Sequence, residues 1–569
     1  MEGDRRPAED HLGRRRRLSP TRALVVLCVG LNLLEAALVA GFGHGTRPDL
    51  APQASAVAPF GVFGDLRWLS VYHNSWATLG AEVVAMLVVR GALTALSVGW
   101  AWPAGRARPS SLRLLRQGLL GTAVAAVLLS PSVALLFGMA AVPVSWLFLA
   151  AVPGAFLVAL LVHPVAVTGD WWRRPVALRA LGWVALSFVV LTFSTAVMGA
   201  TPLAAWPVVA AVSGVFNAWT WRGLVRAVLD RTSRRVVPVV PAAMVAFVAL
   251  VVGGTVAGFS QVPTRVAGVG PLTPAEYTGP PVLVVSGYGS TWDGRPVHPI
   301  PGNFVEVRFS YRGLGADGRP LPYTGGDTVK TLVQLDRMLL HQVSTLNRLT
   351  GRAVDVVAES EGALVAKTAL LADPSAPVTT LVVASPLQNP GRVSYPAAGT
   401  SGWGVGTAEA LRLLSDAFQG VAPVDLSPRN PFLASLDREA PLLAHAMACP
   451  MSHVEQFALL PLVDATVTPS AQRLPYPSVV LPAFHGGLVE SAAGAKVVAE
   501  VLSHRPVTDD ALLRLADTAL SYAAGAWQVP TLAPDESPGG GAGTTGSGCA
   551  AVAARLATAL ASESRTRSP

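Results

Sequence analysis

Residues 354–371 read VDVVAESEGALVAKTALL, and this stretch predicts the fold of the C-terminal half of the chain. Val354–Ala358 is a short, mostly β-branched run that is typical of a buried parallel strand, and Gly362–Leu371 is predicted to form a helix. Between them, Ala358-Glu359-Ser360-Glu361-Gly362 places small residues two before and two after a serine. Such spacing permits a sharp strand–turn–helix bend that presents a hydroxyl away from the sheet. Ser360 is therefore a candidate nucleophile.

The same alternation of strand and helix patterns continues on both sides of this stretch. Further apolar runs with the length of buried strands lie at Val282–Val285, Phe304–Tyr311, Thr380–Ala384, Phe457–Val463 and Ser478–Pro482. Thr328–Leu349 and Leu488–Leu502 are predicted to be helices. Strands that alternate with helices are joined by right-handed crossovers into a parallel sheet. We therefore expect an α/β domain with a mostly parallel sheet at 282–525, after a Pro/Gly-rich linker at 260–281.

Two segments of this half interrupt the alternation. Residues 386–453 form a long insertion with an amphipathic stretch at Ala408–Phe418, placed where a lid would cover a site. Residues 526–569 include a stretch rich in Ser, Gly and Thr and are predicted to be a flexible tail. Cys449 and Cys549 would pair only in an oxidising compartment. Three cysteines without a Cys-x-x-Cys pair do not indicate a metal site, and no cofactor is expected.

The N-terminal half has the composition of a membrane protein. Hydrophobic residues make up 51% of the chain and charged residues 14%, and the apolar residues concentrate before residue 260. A helix needs about 20 apolar residues to cross the bilayer core. Stretches of this kind lie at 23–42, 77–101, 118–139, 144–167, 180–199, 203–221 and 237–258. They predict a seven-span helical bundle over residues 23–259.

The arginines indicate how this bundle is oriented. They cluster in the segments 1–22, 102–117, 168–179 and 222–236, whereas the segments on the opposite side hold few basic residues. The positive-inside rule therefore places the basic N-terminus in the cytoplasm, and an odd number of spans places the α/β domain outside it. We expect an integral protein of the plasma membrane. The same clusters account for the net charge of +8, so no nucleic-acid partner is expected.

Two ionisable residues lie near the middle of predicted spans. Glu35 belongs to the first span and Arg90 to the second, and these two helices run antiparallel. A charge inside the hydrocarbon is costly and is usually paired. The pattern predicts an ion pair between the two helices, with a role in transport as the alternative.

An acid and a histidine complete the constellation around Ser360. Asp464 follows the strand Phe457–Val463, and His485 follows the strand Ser478–Pro482. Because parallel strands end at one edge of a sheet, both side chains are expected beside Ser360. His485 would take the proton of Ser360, and Asp464 would orient the imidazole and stabilise its charged form. The alternative bases and acids all lie in the insertion and are His445, His453, Asp425 and Asp437.

The loop after the first strand of the domain supplies the remaining part of the site. It reads Ser286-Gly287-Tyr288-Gly289-Ser290. The backbone amides of Tyr288 and Glu361 are predicted to stabilise an oxyanion, and Gly287 and Gly289 let the loop bend close. A phosphate-binding loop is disfavoured because neither G-x-x-x-x-G-K-[ST] nor G-x-G-x-x-G follows the strand.

From Val282 to about Leu502 the chain resembles the α/β-hydrolase superfamily, in its lipase and esterase branch. The matching residues are the loop Ser286–Ser290, the strand end Phe309–Gly313, the elbow Ala358–Gly362, and Asp464 and His485. The resemblance implies a serine hydrolase with an α/β-hydrolase fold and a lid-like insertion. It does not extend to the predicted spans.

Several residues depart from that family pattern. Ala358 replaces the first glycine of the elbow, and Ser286 stands where many lipases carry histidine. Glu359 and Glu361 flank the serine, where two negative charges facing a developing oxyanion would oppose the reaction. Either these side chains point away from the site, or the substrate is cationic, or the site prefers low pH.

Two classes of function follow from these features. The first is a membrane-anchored, extracytoplasmic esterase, lipase or acyltransferase that acts on lipid-like acyl esters, favoured by the triad, the bilayer tether and the long insertion. The second is a multi-span transporter or lipid-handling protein with a hydrolase-like accessory domain. The number of spans and the residues Glu35 and Arg90 favour the second.

Overall fold

The computed structural model describes residues 19–41, 51–141, 167, 176–230, 236–237, 279–295, 300–387, 396, 398–417, 430–463, 474–530 and 546–565. The helices of its N-terminal half are α1 (Pro20–Val39), α2 (Ala58–Val71), α3 (Trp76–Ala101), α4 (Ser111–Ala141), α5 (Leu178–Ala200) and α6 (Trp206–Leu229). All but α2 are long and apolar enough to cross a membrane, which gives five candidate spans in the described residues. The predicted spans at 144–167 and 237–258 lie outside those residues, apart from Val167 and Val237.

Small residues let the spanning helices pack closely. Helix α3 contacts α4, and a Cβ at Gly118 would lie 2.3 Å from the carbonyl oxygen of Gly91. Helix α1 contacts α6, and a Cβ at Gly214 would lie 2.6 Å from the Cα of Val29. Close backbone approach favours helix association in lipid, where the surrounding tails are as apolar as the side chains. A two-residue antiparallel ladder joins β1 (Val176–Ala177) to β2 (Val236–Val237).

Residues 51–71 fold back into the bundle and are mostly buried there. Glu35 accepts hydrogen bonds from two consecutive backbone amides of this segment, at 2.6 and 2.7 Å. Arg90 forms an ion pair with Asp65 and donates to a backbone carbonyl of the same segment. The predicted direct ion pair between Glu35 and Arg90 is therefore wrong. The reason is that non-helical backbone inside a bundle needs polar partners, and these two side chains supply them.

The α/β domain contains a six-stranded parallel sheet. Its strands are β3 (Pro281–Val285), β4 (Val305–Arg308), β5 (Val354–Glu359), β6 (Val378–Ala384), β7 (Glu455–Val463) and β8 (Ser478–Phe484). They lie in the order β4-β3-β5-β6-β7-β8, and every neighbouring pair is parallel. The predicted mostly parallel sheet is confirmed.

Helices cover both faces of this sheet. In chain order the helices of this half are α7 (Leu332–Thr350), α8 (Glu361–Ala372), α9 (Val405–Ala417), α10 (Pro431–Ala448), α11 (Ala492–Leu502), α12 (Ala511–Gly525) and α13 (Gly546–Arg565). Of these, α9 packs on the membrane bundle rather than on the sheet. Helices α7, α8, α10 and α13 share an apolar core with one face of the sheet, and α11 packs on the other. Strands β3 and β5 are buried along their whole length, as expected for strands covered on both faces.

The strand order reverses at β3. Strands β4 and β5 both follow β3 in the chain but lie on opposite sides of it. Connections that leave neighbouring strands toward opposite faces open a crevice at the carboxyl edge of the sheet. This crevice lies between the Ser286–Ser290 loop, which follows β3, and Ser360, which follows β5.

The C-terminal segment is more ordered than its composition predicts. The prediction of a flexible tail at 526–569 is wrong for residues 526–530, which are buried, and for residues 546–565, which form α13 and pack on α8 and α10. A disulfide joins Cys449 to Cys549 at the start of this helix, with 5.5 Å between the two Cα atoms. The Ser/Gly/Thr-rich composition before α13 predicts disorder, but the alanine-rich helix after it buries Val552 and Leu556 in the core.

Candidate active site

Ser360 stands at a sharp bend between β5 and α8. Its backbone has φ 57° and ψ −117°, a conformation that L-residues rarely adopt and that costs on the order of 1–3 kcal/mol. The Ser360 amide donates to the carbonyl of Ala384 in β6 at 2.9 Å. A Cβ at Gly362 would lie 2.7 Å from the carbonyl oxygen of Ser286, so the bend requires glycine there. The predicted strand–turn–helix bend is present.

His485 lies beside this serine although 125 residues separate them in the chain. Its Nε2 is 2.8 Å from the Oγ of Ser360. The histidine directly follows β8, and Gly486 and Gly487 then turn the chain with φ values of 89° and 73°. An imidazole at this distance can accept the hydroxyl proton while the oxygen attacks a carbonyl carbon. The predicted pairing of serine and histidine is therefore formed.

Asp464, the predicted acid, lies outside the described residues. Strand β7 ends at Val463, the residue before it. Val463 is paired in register with Phe484, which directly precedes His485. The carboxyl end of β7 therefore lies next to His485, at the carboxyl edge of the sheet.

The Ser286–Ser290 loop closes over the serine. A Cβ at Gly287 would lie 3.0 Å from the Cβ of Ser360 and 3.4 Å from its Oγ, so a larger residue there would crowd the serine. The next backbone amide, that of Tyr288, is one predicted oxyanion donor. The other, the amide of Glu361, belongs to the first turn of α8, where amides have no partner inside the helix. Helix N-termini also favour negative charge.

Neighbouring side chains hold this loop in position. The ring of Tyr288 stacks on Phe432 of α10, with 5.6 Å between ring centroids, and the Nδ2 of Asn430 donates to the Tyr288 hydroxyl. Gly289 has φ 72°, and its amide donates to the Oγ1 of Thr328 at 3.0 Å. The predicted insertion therefore contributes directly to the loop beside the serine.

Glu359 points into the protein rather than toward the space above Ser360. Its Oε1 accepts a hydrogen bond from the backbone amide of Leu488 at 2.7 Å, and its side chain is buried. Burial raises the pKa of the Glu359 carboxyl to about 7, although the Leu488 amide and the nearby His485 favour the charged form. The residue links the strand that carries the serine to the loop that carries the histidine.

Glu361 is also turned inward and is fully buried. Burial raises the pKa of its carboxyl well above the usual range, against the smaller opposing effects of the Tyr311 hydroxyl and the Lys330 ammonium. Burial therefore favours the neutral form of this carboxyl. Of the explanations that the sequence left open, the first applies, because both flanking carboxyls point away from the serine hydroxyl.

Three contacts around the site were not predicted. The buried Tyr311 hydroxyl donates to the carbonyl of Ser286 at 2.5 Å, directly before Gly287. The other two are the contacts of Asn430 with Tyr288 and of Thr328 with Gly289. Tyr311 lies in the segment Phe309–Gly313 that the sequence analysis singled out, but no pattern in the sequence indicates its partner. Asn430 and Thr328 carry no signal of their own, since each comes from a distant segment.

No family model, curated protein or solved structure matches this chain. Among the described residues, no three His, Cys, Asp or Glu side chains lie close enough together to bind a metal ion. The chemistry of the candidate site is therefore inferred from the arrangement of Ser360, His485 and the Gly287 loop.

Proposed function

We propose that this chain is a membrane-anchored serine hydrolase of the α/β-hydrolase type that cleaves acyl esters. One observation carries the proposal. The Nε2 of His485 lies 2.8 Å from the Oγ of a serine held at a strained strand–helix bend. Backbone strain of this kind concentrates at functional sites, and a buried structural serine has no need of it.

The reaction begins when the Ser360 oxygen attacks the ester carbonyl and His485 takes the hydroxyl proton. The amides of Tyr288 and Glu361 stabilise the negative charge that forms on the carbonyl oxygen. His485 then protonates the departing alcohol, which leaves an acyl group on Ser360. Asp464 is assigned the role of orienting the imidazole. Water releases the acyl group in an esterase, whereas an acceptor alcohol takes it in an acyltransferase.

We place the chain in the plasma membrane, with its α/β domain on the side away from the cytoplasm. The arginine-rich segments of the bundle support this orientation. The Cys449–Cys549 disulfide also supports it, since disulfides persist in oxidising compartments and are rare in the cytosol.

The transport alternative has lost part of its support. Glu35 and Arg90 suggested a charged pathway through the bundle, but each is engaged with the buried segment 51–71. The presence of these two charges within the bundle therefore has a structural explanation.

Labelling of membranes with a fluorophosphonate tests the proposed nucleophile. The wild type is expected to label, and Ser360→Ala and His485→Ala are expected to lose labelling. Ser375→Ala, which changes an exposed serine in a turn, is the matched control and should label like the wild type. Labelling that survives in Ser360→Ala would show that the assignment is wrong.

A further inference from the structure

Helix α12 runs along the sheet toward its carboxyl edge. Near its start, Arg514 donates to the carbonyl of Ser478, the first residue of β8, at 2.6 Å. The helix contacts both β7 and β8. Its 15 residues span about 22 Å, close to the roughly 23 Å of the seven residues of β8. The end of α12 therefore reaches the edge where Ser360 and His485 lie.

The residues after α12 are buried in the membrane bundle. The indole of Trp527 stacks on Phe188 of α5, with 4.7 Å between ring centroids, and contacts Phe60 of α2 edge-on. Its Nε1 donates to the Oγ1 of Thr192 at 3.0 Å. Phe188 lies at the middle of α5 and Thr192 one turn further toward its C-terminus. The end of α12 is thus inserted between α2 and α5.

A buried arginine fixes this insertion. Arg67 of α2 is 1% exposed and donates to the carbonyls of Ala526 (2.8 Å) and Gln528 (2.7 Å). Gln53 donates to the same Ala526 carbonyl at 2.7 Å and accepts from Arg67 at 2.9 Å. Hydrogen bonds from a charged donor are stronger than neutral ones, particularly when buried. The two halves of the chain are therefore joined by a defined contact.

The insertion after β6 makes a second contact with the bundle. It leaves the carboxyl end of β6, and α9 packs on α2, α3 and α4. The amides of Gly404 and Gly406 donate to the carbonyl and the Nε2 of His73, at 2.7 and 2.8 Å. A Cβ at Gly404 would lie 2.6 Å from the ring of Phe137 near the end of α4. Both contacts start from the serine edge of the sheet.

Aromatic and apolar side chains surround the second contact. Trp68 stacks on Tyr72, and Tyr72 meets the ring of Trp403 edge-on at 6.0 Å. Trp and Tyr concentrate at the level of the lipid headgroups. On α9, Leu413 is 68% exposed beside the bundle. An amphipathic helix with exposed leucine at this level is suited to lie in the membrane interface.

We infer that the serine site faces the membrane and takes its acyl ester from the adjoining lipid leaflet, along the surface where α9 meets the bundle. The inference rests on the proposed function and specifies its substrate class. The acyl chains of a bilayer lipid would remain near α9 and the bundle while the ester carbonyl reaches Ser360. A soluble ester has no need of either contact.

A comparison of two esters in the full chain tests this inference. The protein is reconstituted in nanodiscs that contain a fluorogenic diacyl glycerophospholipid, and a short-chain p-nitrophenyl ester is supplied in water. Leu413→Glu is the test variant. Leu512→Glu is its matched control, because Leu512 is 77% exposed and lies at the start of α12, by the opposite edge of the sheet.

Leu413→Glu is expected to slow hydrolysis of the nanodisc lipid by roughly tenfold, since a charge replaces an apolar lipid contact. Leu512→Glu is expected to match the wild type, and the soluble ester should be cleaved equally by all three proteins. Equal hydrolysis of the lipid by the two variants would overturn the inference. So would a wild type that cleaves only the soluble ester. Activity that persists in Ser360→Ala on both esters would instead overturn the proposed function.

Discussion

The carboxyl of Glu359 accepts a hydrogen bond from the backbone amide of Leu488 at 2.7 Å. This bond joins β5, which ends beside Ser360, to the loop that follows His485. It gives a structural role to an acidic residue that looked unfavourable next to a nucleophile. The charge state of Glu359 should therefore influence the histidine.

Replacing Glu359 with glutamine should reduce activity only at higher pH. The pKa of the Glu359 carboxyl is raised to about 7, so the group is mostly neutral at pH 6 and charged at pH 8. The charged form favours protonated His485, whereas glutamine keeps an acceptor for the Leu488 amide without the charge. We expect Glu359→Gln to match the wild type at pH 6 and to be slower by on the order of tenfold at pH 8. Values of kcat/KM on a soluble ester measure this.

The matched control for that experiment is Asp355→Asn. Asp355 is a buried carboxyl on the same strand, and burial raises its pKa as well, but its partner is Thr379. The ratio of kcat/KM between Asp355→Asn and the wild type should be the same at pH 6 and pH 8. If kcat/KM of Glu359→Gln relative to the wild type were also independent of pH, the charge of Glu359 would have no effect on His485.

Gly287→Ala should impair catalysis without unfolding the protein. The added Cβ would lie 3.0 Å from the Cβ of Ser360 and would push the loop away from the serine. Because oxyanion donors must sit close to the reacting oxygen, we expect kcat to fall on the order of 10²-fold. Gly548→Ala, where an added Cβ meets open space, is the control. Equal kcat in both variants would exclude a role for this loop.

Glu361→Gln should stabilise the protein increasingly as the pH rises. The folded protein keeps this carboxyl protonated because burial raises its pKa, whereas in the unfolded chain it ionises above about pH 4.3. The wild type therefore loses stability by about 1.4 kcal/mol per pH unit above that point, until the folded group also ionises. Glutamine cannot ionise, so the thermal midpoint of the variant should exceed that of the wild type more at pH 8 than at pH 5. A difference independent of pH would contradict a neutral Glu361.

Loss of the Cys449–Cys549 disulfide should destabilise the α/β domain. The bond closes a loop with a sequence separation of 100 residues. Its removal in Cys549→Ser is expected to lower the free energy of unfolding by about 2–5 kcal/mol. A reductant should lower the thermal midpoint of the wild type and leave that of the variant unchanged. An identical response of both proteins would mean that the cysteines are not paired in the isolated protein.

Thiol accessibility in intact cells tests the orientation. Ser375→Cys introduces a thiol on an exposed turn of the α/β domain, and Ala104→Cys introduces one in the exposed connection between α3 and α4. An impermeant maleimide is expected to label the first and to label the second only after lysis. The native background is low, because Cys28 is buried and the other two cysteines are paired. The reverse pattern would place the domain in the cytoplasm.

Local pattern was sufficient to predict much of the candidate site. The run before Ser360 is apolar and β-branched, and glycine follows two residues later, so the bend could be read from neighbouring residues. His485 could be placed because it follows a strand, and parallel strands end at one edge. The apolar stretches likewise predicted five helices that the structure describes as long enough to span a membrane.

Contacts between distant segments were decided only by the tertiary structure. Arg67 meets the Ala526 carbonyl across a separation of 459 residues, and Glu359 meets Leu488 across 129. Glu35 and Arg90 bind a segment that hydropathy alone assigned to a loop outside the bundle. Periodicity reports which face of an element is apolar, and it carries no information about which remote backbone group a polar side chain will meet. The sequence by itself therefore predicted the candidate nucleophile and its histidine, while the tertiary structure decided which remote groups hold the two residues in place.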